Sequence, residues 1–284
     1  MEKRTTKSFA TMIYVKLTKK FITKNLLPYL SQTHLGRKPK IPLWRIIKGI
    51  IYKLKTGTQW REIPVGQFAS RILISWNTFF YHFNKWSKDG SWKRLWTTLL
   101  KLHKATLDMS SVQLDGSHTP VKRGGQVVGY QKRKKSPTTN ALFLTDRQGI
   151  PLAMSEPTAG NHHDLFEIEK NMRKMEADLA LADICSNGLF MNADAGFDAK
   201  TLRDLCEQME IIANIVFNKR NSKNTDFEYL LDEQLYKERF SVERTNAWLD
   251  AFKTLLTRFE TTAQNWSSFH YLAFALILLR KAES

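Results

Sequence analysis

Residues 111–118 read SVQLDGSH, a short apolar run that stops at a carboxylate. Runs of this length, bounded by small and polar residues, mark buried strands. Asp115 therefore stands at a strand end. Working outward, NALFLTD (140–146) and IPLAMSE (150–156) repeat the pattern, and TDRQG supplies a tight hairpin turn over 146–149. A charged segment with helical periodicity spans 163–182, and NGLFMNAD (187–194) gives a fourth strand ending on Asp194. A helix over 199–209 and a fifth strand, EIIANIVF (210–217), follow. A polar, acid-rich connection over 219–234 leads to the helical segment YKERFSVERTNAWLDAFK (236–253), which carries Glu243, and a further helix spans 265–282. Strands that come first as a meander and then alternate with helices predict an α/β domain with a mixed sheet.

The part before this domain has a different character. Residues 1–110 hold 22 Lys+Arg against 4 Asp+Glu, and residues 111–284 hold 22 against 23, so the formal charge of +17 belongs to the first part alone. A balance of +18 in 110 residues implies a polyanionic partner, because it would otherwise repel itself. Residues 1–20 read as a basic, loosely ordered arm. Segments 21–31, 42–54, 70–87 and 91–105 show helical apolar spacing, clearest in IPLWRIIKGIIYKL, where Pro42 suits a first turn. Six of the eight tryptophans fall here, which suits a small core that needs bulky side chains. We therefore divide the chain into the arm (1–20), a compact helical domain with helix-turn-helix character (21–108), and the α/β domain (109–284). For base reading in a major groove, 70–87 and 42–54 are equal candidates.

Several classes are excluded. Cys185 and Cys206 fit no zinc or thioredoxin spacing and read as two buried or half-buried thiols. No secretory signal is visible, and no stretch reaches transmembrane length without charge. YLAFALILLR (271–280) is too short to span and reads as a buried helix. A basic arm can bind an anionic membrane surface, but the carboxylates favour a polynucleotide partner.

Asp115, Asp194 and Glu243 come from two strand ends and one helix. Such a set can hold a pair of Mg²⁺ ions, which clamp the attacking and leaving oxygens of an in-line phosphoryl displacement. Each residue alone has an ordinary reading. Asp115 with Gly116 is a common turn pair, Asp194 can close a loop with Gly196, and Glu243 can be a solvated helix position. Lys122, Arg123, Lys132, Arg133, Lys134 and Lys135 form an acid-free basic run with Gly124, Gly125 and Gly129 to keep it mobile, and lie between two site strands. This reads as a phosphate clamp for entering DNA. In His162, His163 and Asp164 we expect Asn161 or Asp164 to cap the following helix and a His to brace the site edge, rather than a metal cluster. His118, three residues after Asp115, has two readings, a hydrogen bond near an attacking water or a phosphate and a surface role, and the first is not favoured over the second.

The words LDGSH, DRQGIPL, AGNHHD, ADAGFD, ERFSVERTNAWLDAF and RFE, with IPLWRIIKGIIYKLKTGTQWREIP before them, resemble DDE transposases of bacterial insertion sequences, and most of all the insertion-sequence-five group. The resemblance covers about residues 36–282. It implies a ribonuclease-H-like core, as in these transposases and in retroviral integrases. It places Asp115, Asp194 and Glu243 as catalytic metal ligands for two Mg²⁺ or Mn²⁺ ions. It implies binding of double-stranded DNA at terminal inverted repeats, cleavage that leaves a 3′-OH, and joining of that 3′-OH to target DNA. The helix signature of related transposases is Tyr, two residues, Arg, three residues, Glu, six residues, then a basic residue. Tyr236, Arg239 and Glu243 fit it, with Tyr236 and Arg239 as DNA contacts and Arg239 on a backbone phosphate; Asp250 occupies the last position, and Lys253, one helical turn on, is the substitute for a DNA backbone contact. A homodimer in the DNA complex and a bacterial, cytoplasmic, nucleoid-associated location are further implications. A domesticated or inactive copy that still binds DNA is the alternative.

Overall fold

In the computed structural model, β1 (Val112–Pro120) continues through the Asp-Gly pair rather than turning at it. The structure describes residues 17–32, 38–70, 72–218 and 231–283. Residues 1–16 of the expected arm and 219–230 of the acid-rich connection lie outside the described residues. The reason that β1 runs on is its partner. β3 (Ser136–Asp146) pairs antiparallel with all of β1, from Val112↔Asp146 through Asp115↔Phe143 to Pro120↔Thr138. That ladder supplies partners for backbone groups that a turn would leave to solvent.

On the other side of β1 lies β6 (Phe190–Ala193), parallel to it, and then β7 (Ile212–Ile215), parallel to β6. The far edge of β3 carries three short strands: β2 (Gly129–Gln131), β4 (Pro151–Met154) and β5 (Thr158–Ala159). An antiparallel meander followed by two parallel strands on the opposite flank of β1 is the ribonuclease-H-like order, and the sheet is mixed as expected. β2 and β5 have no counterpart in the sequence reading; they are three and two residues long, too short for any periodicity to register.

Before β1 run α1 (Lys19–Asn25), α2 (Leu43–Thr56), α3 (Val65–Ala69), α4 (Asn77–Lys88) and α5 (Ser91–Leu102). α2 presents Ile46, Ile47, Ile50, Ile51 and Leu54, all fully buried. The helix expected over 70–87 begins only at Asn77, and the short α3 precedes it. After β5 come α6 (Ile168–Leu181) and α7 (Lys200–Gln208), on either side of β6. Next are α8 (Glu233–Tyr236), α9 (Ser241–Asp250), α10 (Lys253–Leu256) and α11 (Ala263–Glu283).

The sheet is packed on both faces. Alternate residues of β3 show the two sides: Phe143 meets Phe274 of α11 edge to face, and Leu144 lines a narrow apolar crevice with Met172 and Met175 of α6. α11 also closes the helical half. Trp96 of α5 stacks on Tyr271 at 5.4 Å, and Phe83 of α4 stacks on Phe269 at 4.1 Å. A buried polar link does the same at α2, where Lys53 pairs with Glu260 at 3.5 Å and its carbonyl accepts from Thr254 Oγ1 at 2.7 Å. One hydrophobic core therefore runs from Phe21 to Leu279 without a break between the helical half and the sheet. Among the described residues no helix is long and apolar enough to cross a membrane.

Candidate active site

The parallel pairing of β1 and β6 sets two carboxylates near each other. Asp115 lies in mid-β1, and Asp194 follows β6 directly. Asp194 Oδ1 accepts from Gly196 N at 2.8 Å, which fixes the carboxylate at the start of a 3₁₀ turn over Ala195–Phe197. Both residues line a cleft of 680 Å³, with His118, Arg133, Lys134, Asp164, Asn246 and Asp250 among its other walls. The Asp115 side chain is 21% exposed. Burial pushes its carboxyl up to about 6; Arg239 opposes this, the nearby Asp194 charge adds to it, a hydrogen bond with Asn246 opposes it, and Glu243 adds to it. Asp194 and Glu243 thus both lie within electrostatic reach of Asp115.

Glu243 is placed differently. It is exposed in the first turn of α9 and is not part of the cleft wall. Among the described residues no three His, Cys, Asp or Glu side chains are close enough to hold one ion. α9 is seated on the β3–β4 turn. Thr245 Oγ1 donates to Gly149 O at 2.5 Å and Arg244 Nη1 to Gln148 O at 2.9 Å. Gly149 has φ +87°, and a Cβ there would stand 2.7 Å from Ser241 O, so only glycine lets the turn approach the helix this closely. Arg244 therefore serves this seat.

The remaining positions of the helix signature split up. The segment before α9 is stapled to the sheet: Asn192 Nδ2 donates to Leu235 O at 3.1 Å, Ser111 Oγ to Glu238 Oε2 at 3.0 Å, and Arg147 Nη2 reaches Glu238 Oε1 at 2.7 Å. Glu238 is thereby committed to structure. Its neighbour Arg239 is directed to Asp115, with Nη1 3.9 Å from Asp115 Oδ1 and its guanidinium 5.8 Å from the Tyr236 ring. Lys253 does not extend the helix of Glu243. α9 ends at Asp250, Phe252 is extended, and Lys253 starts α10 exposed, packed beside Gly57. Asp250 reaches the cleft instead, where burial raises its carboxyl and Lys134 opposes the rise.

The basic run is not one mobile connection. Lys122 N donates to Arg258 O at 3.1 Å and Gln126 N to Thr261 O at 2.9 Å, so 122–126 lies along the segment before α11. Lys132–Lys135 form the exposed turn of the β2–β3 hairpin. From that turn Arg133 and Lys134 reach the cleft, and Lys134 Nζ donates to His118 O at 2.7 Å. Lys122 and Arg123 are exposed outside the cleft wall.

In the AGNHHD word the expected cap is absent, while His163 lines the cleft. α6 starts at Ile168, and its N-cap Glu167 makes no side-chain cap, so neither Asn161 nor Asp164 caps it. Asp164 braces β1 instead. It accepts from Asn140 Nδ2 at 2.6 Å, lies 3.9 Å from His118, and would collide with any Cβ at Gly116. His118 is half-buried in the cleft, its ring against Thr138 and Gln131, and burial holds its pKa down. His163 Nδ1 accepts from Leu165 N, and His162 stacks on Phe166. Cys206 is buried as expected, but Cys185 is exposed. Asn246 escaped the sequence reading; its place three residues after Glu243, on the same helix face, is the signal that points to it.

Hard oxygen donors on adjacent strands, one within β1 and one just after β6, suit a hard divalent cation. The raised carboxyl of Asp115 fits this, since a cation would offset the burial that disfavours its charge, and with it the smaller repulsion from Asp194. Asp115 and Asp194 fit such a group; Glu243 lies outside the cleft wall.

Residues 106–278 match the family described as "Transposase DDE domain", and residues 22–96 match the one described as "Putative transposase of IS4/5 family". The chain belongs to the DDE transposase family. It is accordingly a DNA transposase, a metal-dependent enzyme that cleaves and joins DNA. Among solved structures it is similar to the piggyBac transposase synaptic complex with hairpin DNA, at 7% identity and TM-score 0.48, over 96% of this chain and 73% of that one. It is also similar to the Mos1 transposase paired-end complex, at 10% identity and TM-score 0.29, over 80% and 81%, and to the Mos1 mariner catalytic domain, at 10% and 0.29, over 58% and 90%. No curated protein matches it.

Proposed function

We propose that this chain binds the terminal inverted repeats of an insertion sequence and carries out cleavage and strand transfer with two Mg²⁺ or Mn²⁺ ions held by Asp115, Asp194 and Glu243. The observation that carries this reading is the meeting of Asp115 and Asp194 at adjacent parallel strands, in a cleft overhung by a lysine-rich hairpin. Divalent cations bound there supply Lewis-acid activation of water and of a 3′-OH, and stabilise charge on the leaving oxygen. The protein groups do the rest. Asp115 and Asp194 present fixed oxygens from the sheet. Glu243 completes the set from α9. Arg133 and Lys134 hold strand phosphates over the cleft, and Lys132, Lys135, Lys122 and Arg123 draw the flanking backbone in without reading its sequence.

The helical half bears the positive charge, and we assign repeat recognition to residues 21–108, preceded by the basic arm. Because α11 covers α5, that half works as part of the whole chain. Tyr236 and Lys253 remain proposed DNA contacts, Tyr236 beside Arg239 and Lys253 from α10. Two ends must be brought together for transfer, so the working form on DNA is a homodimer, in a bacterial cytoplasm at the nucleoid. The test is Mg²⁺-dependent cleavage of a labelled duplex carrying the inverted repeat that flanks the coding region. Cleavage at the repeat end supports the reading. Binding without nicking in Mg²⁺ or Mn²⁺ would mean an inactive copy that keeps only DNA recognition.

A further inference from the structure

Asp115 already has a cation beside it. Arg239 Nη1 stands 3.9 Å from Asp115 Oδ1, and both side chains are mostly buried, at 19% and 21% exposure. The backbone that delivers Arg239 is fixed by its neighbours, since Glu238 is tied to Ser111 and Arg147 and Leu235 to Asn192. The guanidinium has a second resting face in the Tyr236 ring, 5.8 Å away. A divalent ion and a guanidinium cannot both sit on one carboxylate without strong mutual repulsion. A planar guanidinium that leaves the carboxylate has the fork geometry for a phosphate.

We propose that Arg239 is the resident counter-cation of Asp115, neutralising that carboxylate until a divalent ion takes its place and then turning to a phosphate of the DNA strand. This goes beyond the assignment of Arg239 as a phosphate contact and rests on the metal reading of Asp115 and Asp194 given above. In this role Arg239 is a positioning residue: it keeps the carboxylate pair from crowding when no ion is bound, and it couples ion binding to strand binding. The two ligands are linked because each favours the same arrangement, and the linkage must be reciprocal.

The experiment uses the whole chain and needs no catalysis. Mn²⁺ is titrated into the DNA-free protein by calorimetry or electron paramagnetic resonance for wild type, Arg239→Gln and Arg239→Lys, with thermal melts to check folding. Arg239→Gln removes the competing charge and is expected to bind Mn²⁺ about five- to tenfold more tightly, a solvent-screened share of the Coulomb interaction. Arg239→Lys keeps a cation in place and should match wild type within about twofold. The second arm measures duplex binding with and without Ca²⁺. The ion should strengthen binding more in wild type than in Arg239→Gln. Equal or weaker Mn²⁺ binding by Arg239→Gln, or the same Ca²⁺ effect in both proteins, overturns the counter-cation role while leaving the metal site standing. Failure of every protein to bind Mn²⁺ overturns the metal reading and this inference together.

Discussion

Asp115 sits within a nine-residue strand paired along its whole length to β3, whereas Glu243 is exposed in the first turn of a ten-residue helix that meets the sheet through a hairpin turn. The first carboxylate is held by the same ladder that makes the fold. The second is held by a seat of two hydrogen bonds from Thr245 and Arg244 to the β3–β4 turn. Ion affinity should therefore reside in the strand pair, and the helix should contribute mainly when DNA is bound and the set is complete. Catalytic sites gain from groups fixed before the reaction. Here the fixing is uneven, and that unevenness can be measured.

The largest effects test the division directly. Asp115→Asn, Asp194→Asn and Glu243→Gln should each reduce cleavage of a labelled repeat end by about 10³-fold or more, while gel shifts show repeat binding nearly unchanged. The strand variants should also lose Mn²⁺ binding in the absence of DNA. Glu243→Gln should keep it within about threefold, because that side chain is not part of the cleft wall. Equal loss of Mn²⁺ in all three would abolish the distinction between strand and helix. Normal cleavage by Glu243→Gln would remove Glu243 from the site altogether.

Next in size is the hairpin. Replacing Lys132, Arg133, Lys134 and Lys135 with Ala should weaken duplex binding and strand transfer. It should also flatten the dependence of log K on log salt by about 0.9 for each phosphate that is no longer neutralised. The choice of repeat should not change, since backbone contacts carry no base information. A changed repeat preference would mean that the hairpin reads sequence.

A smaller effect is thermodynamic. The Asp115 carboxyl titrates near 6 in the folded chain, above its ordinary unfolded value, so its ionisation opposes folding. The sign follows from linkage: the contribution is intact below the unfolded value and is lost as pH rises through the folded one. Asp115→Asn should therefore stabilise the metal-free protein at pH 7 by up to about 3 kcal/mol and give no gain at pH 4. Melts in chelator at both pH values measure this. A gain that is equal at pH 4 and pH 7 would assign the effect to packing. The smallest change is expected from Asp250→Asn, which should keep cleavage within about threefold, as an exposed charge near Lys134 is worth little. A severe loss would make Asp250, not Glu243, the helix-borne partner of the strand pair.

The strands and their carboxylates are legible in the sequence because apolar runs that end on an acid leave a local mark. The seam between Asp115 and Gly116 is not, since a turn pair and a strand interior share those two letters and only the β3 ladder decides between them. Asp164 reads as a cap because capping is a local habit, while its contacts to Asn140 and Gly116 are made across the sheet. The expected mobile basic loop resolves into a hairpin because Ser136–Thr138 and Gly129–Gln131 pair too briefly to leave a periodic signal. Lys253 falls on a different helix from the one its spacing suggests, because nothing in AFK announces that Phe252 is extended.

The way α11 lies across α4 and α5 has a consequence for the order of events at the ribosome. Residues 263–283 are made after everything they cover, so Trp96 and Phe83 must wait for Tyr271 and Phe269 through most of translation. A nascent chain that stops before α11 presents an open aromatic face instead of a finished helical half, and such faces invite aggregation or capture by chaperones. Competence to hold an element end and competence to cut it would then arrive together, once α11 has closed over the helices made before it.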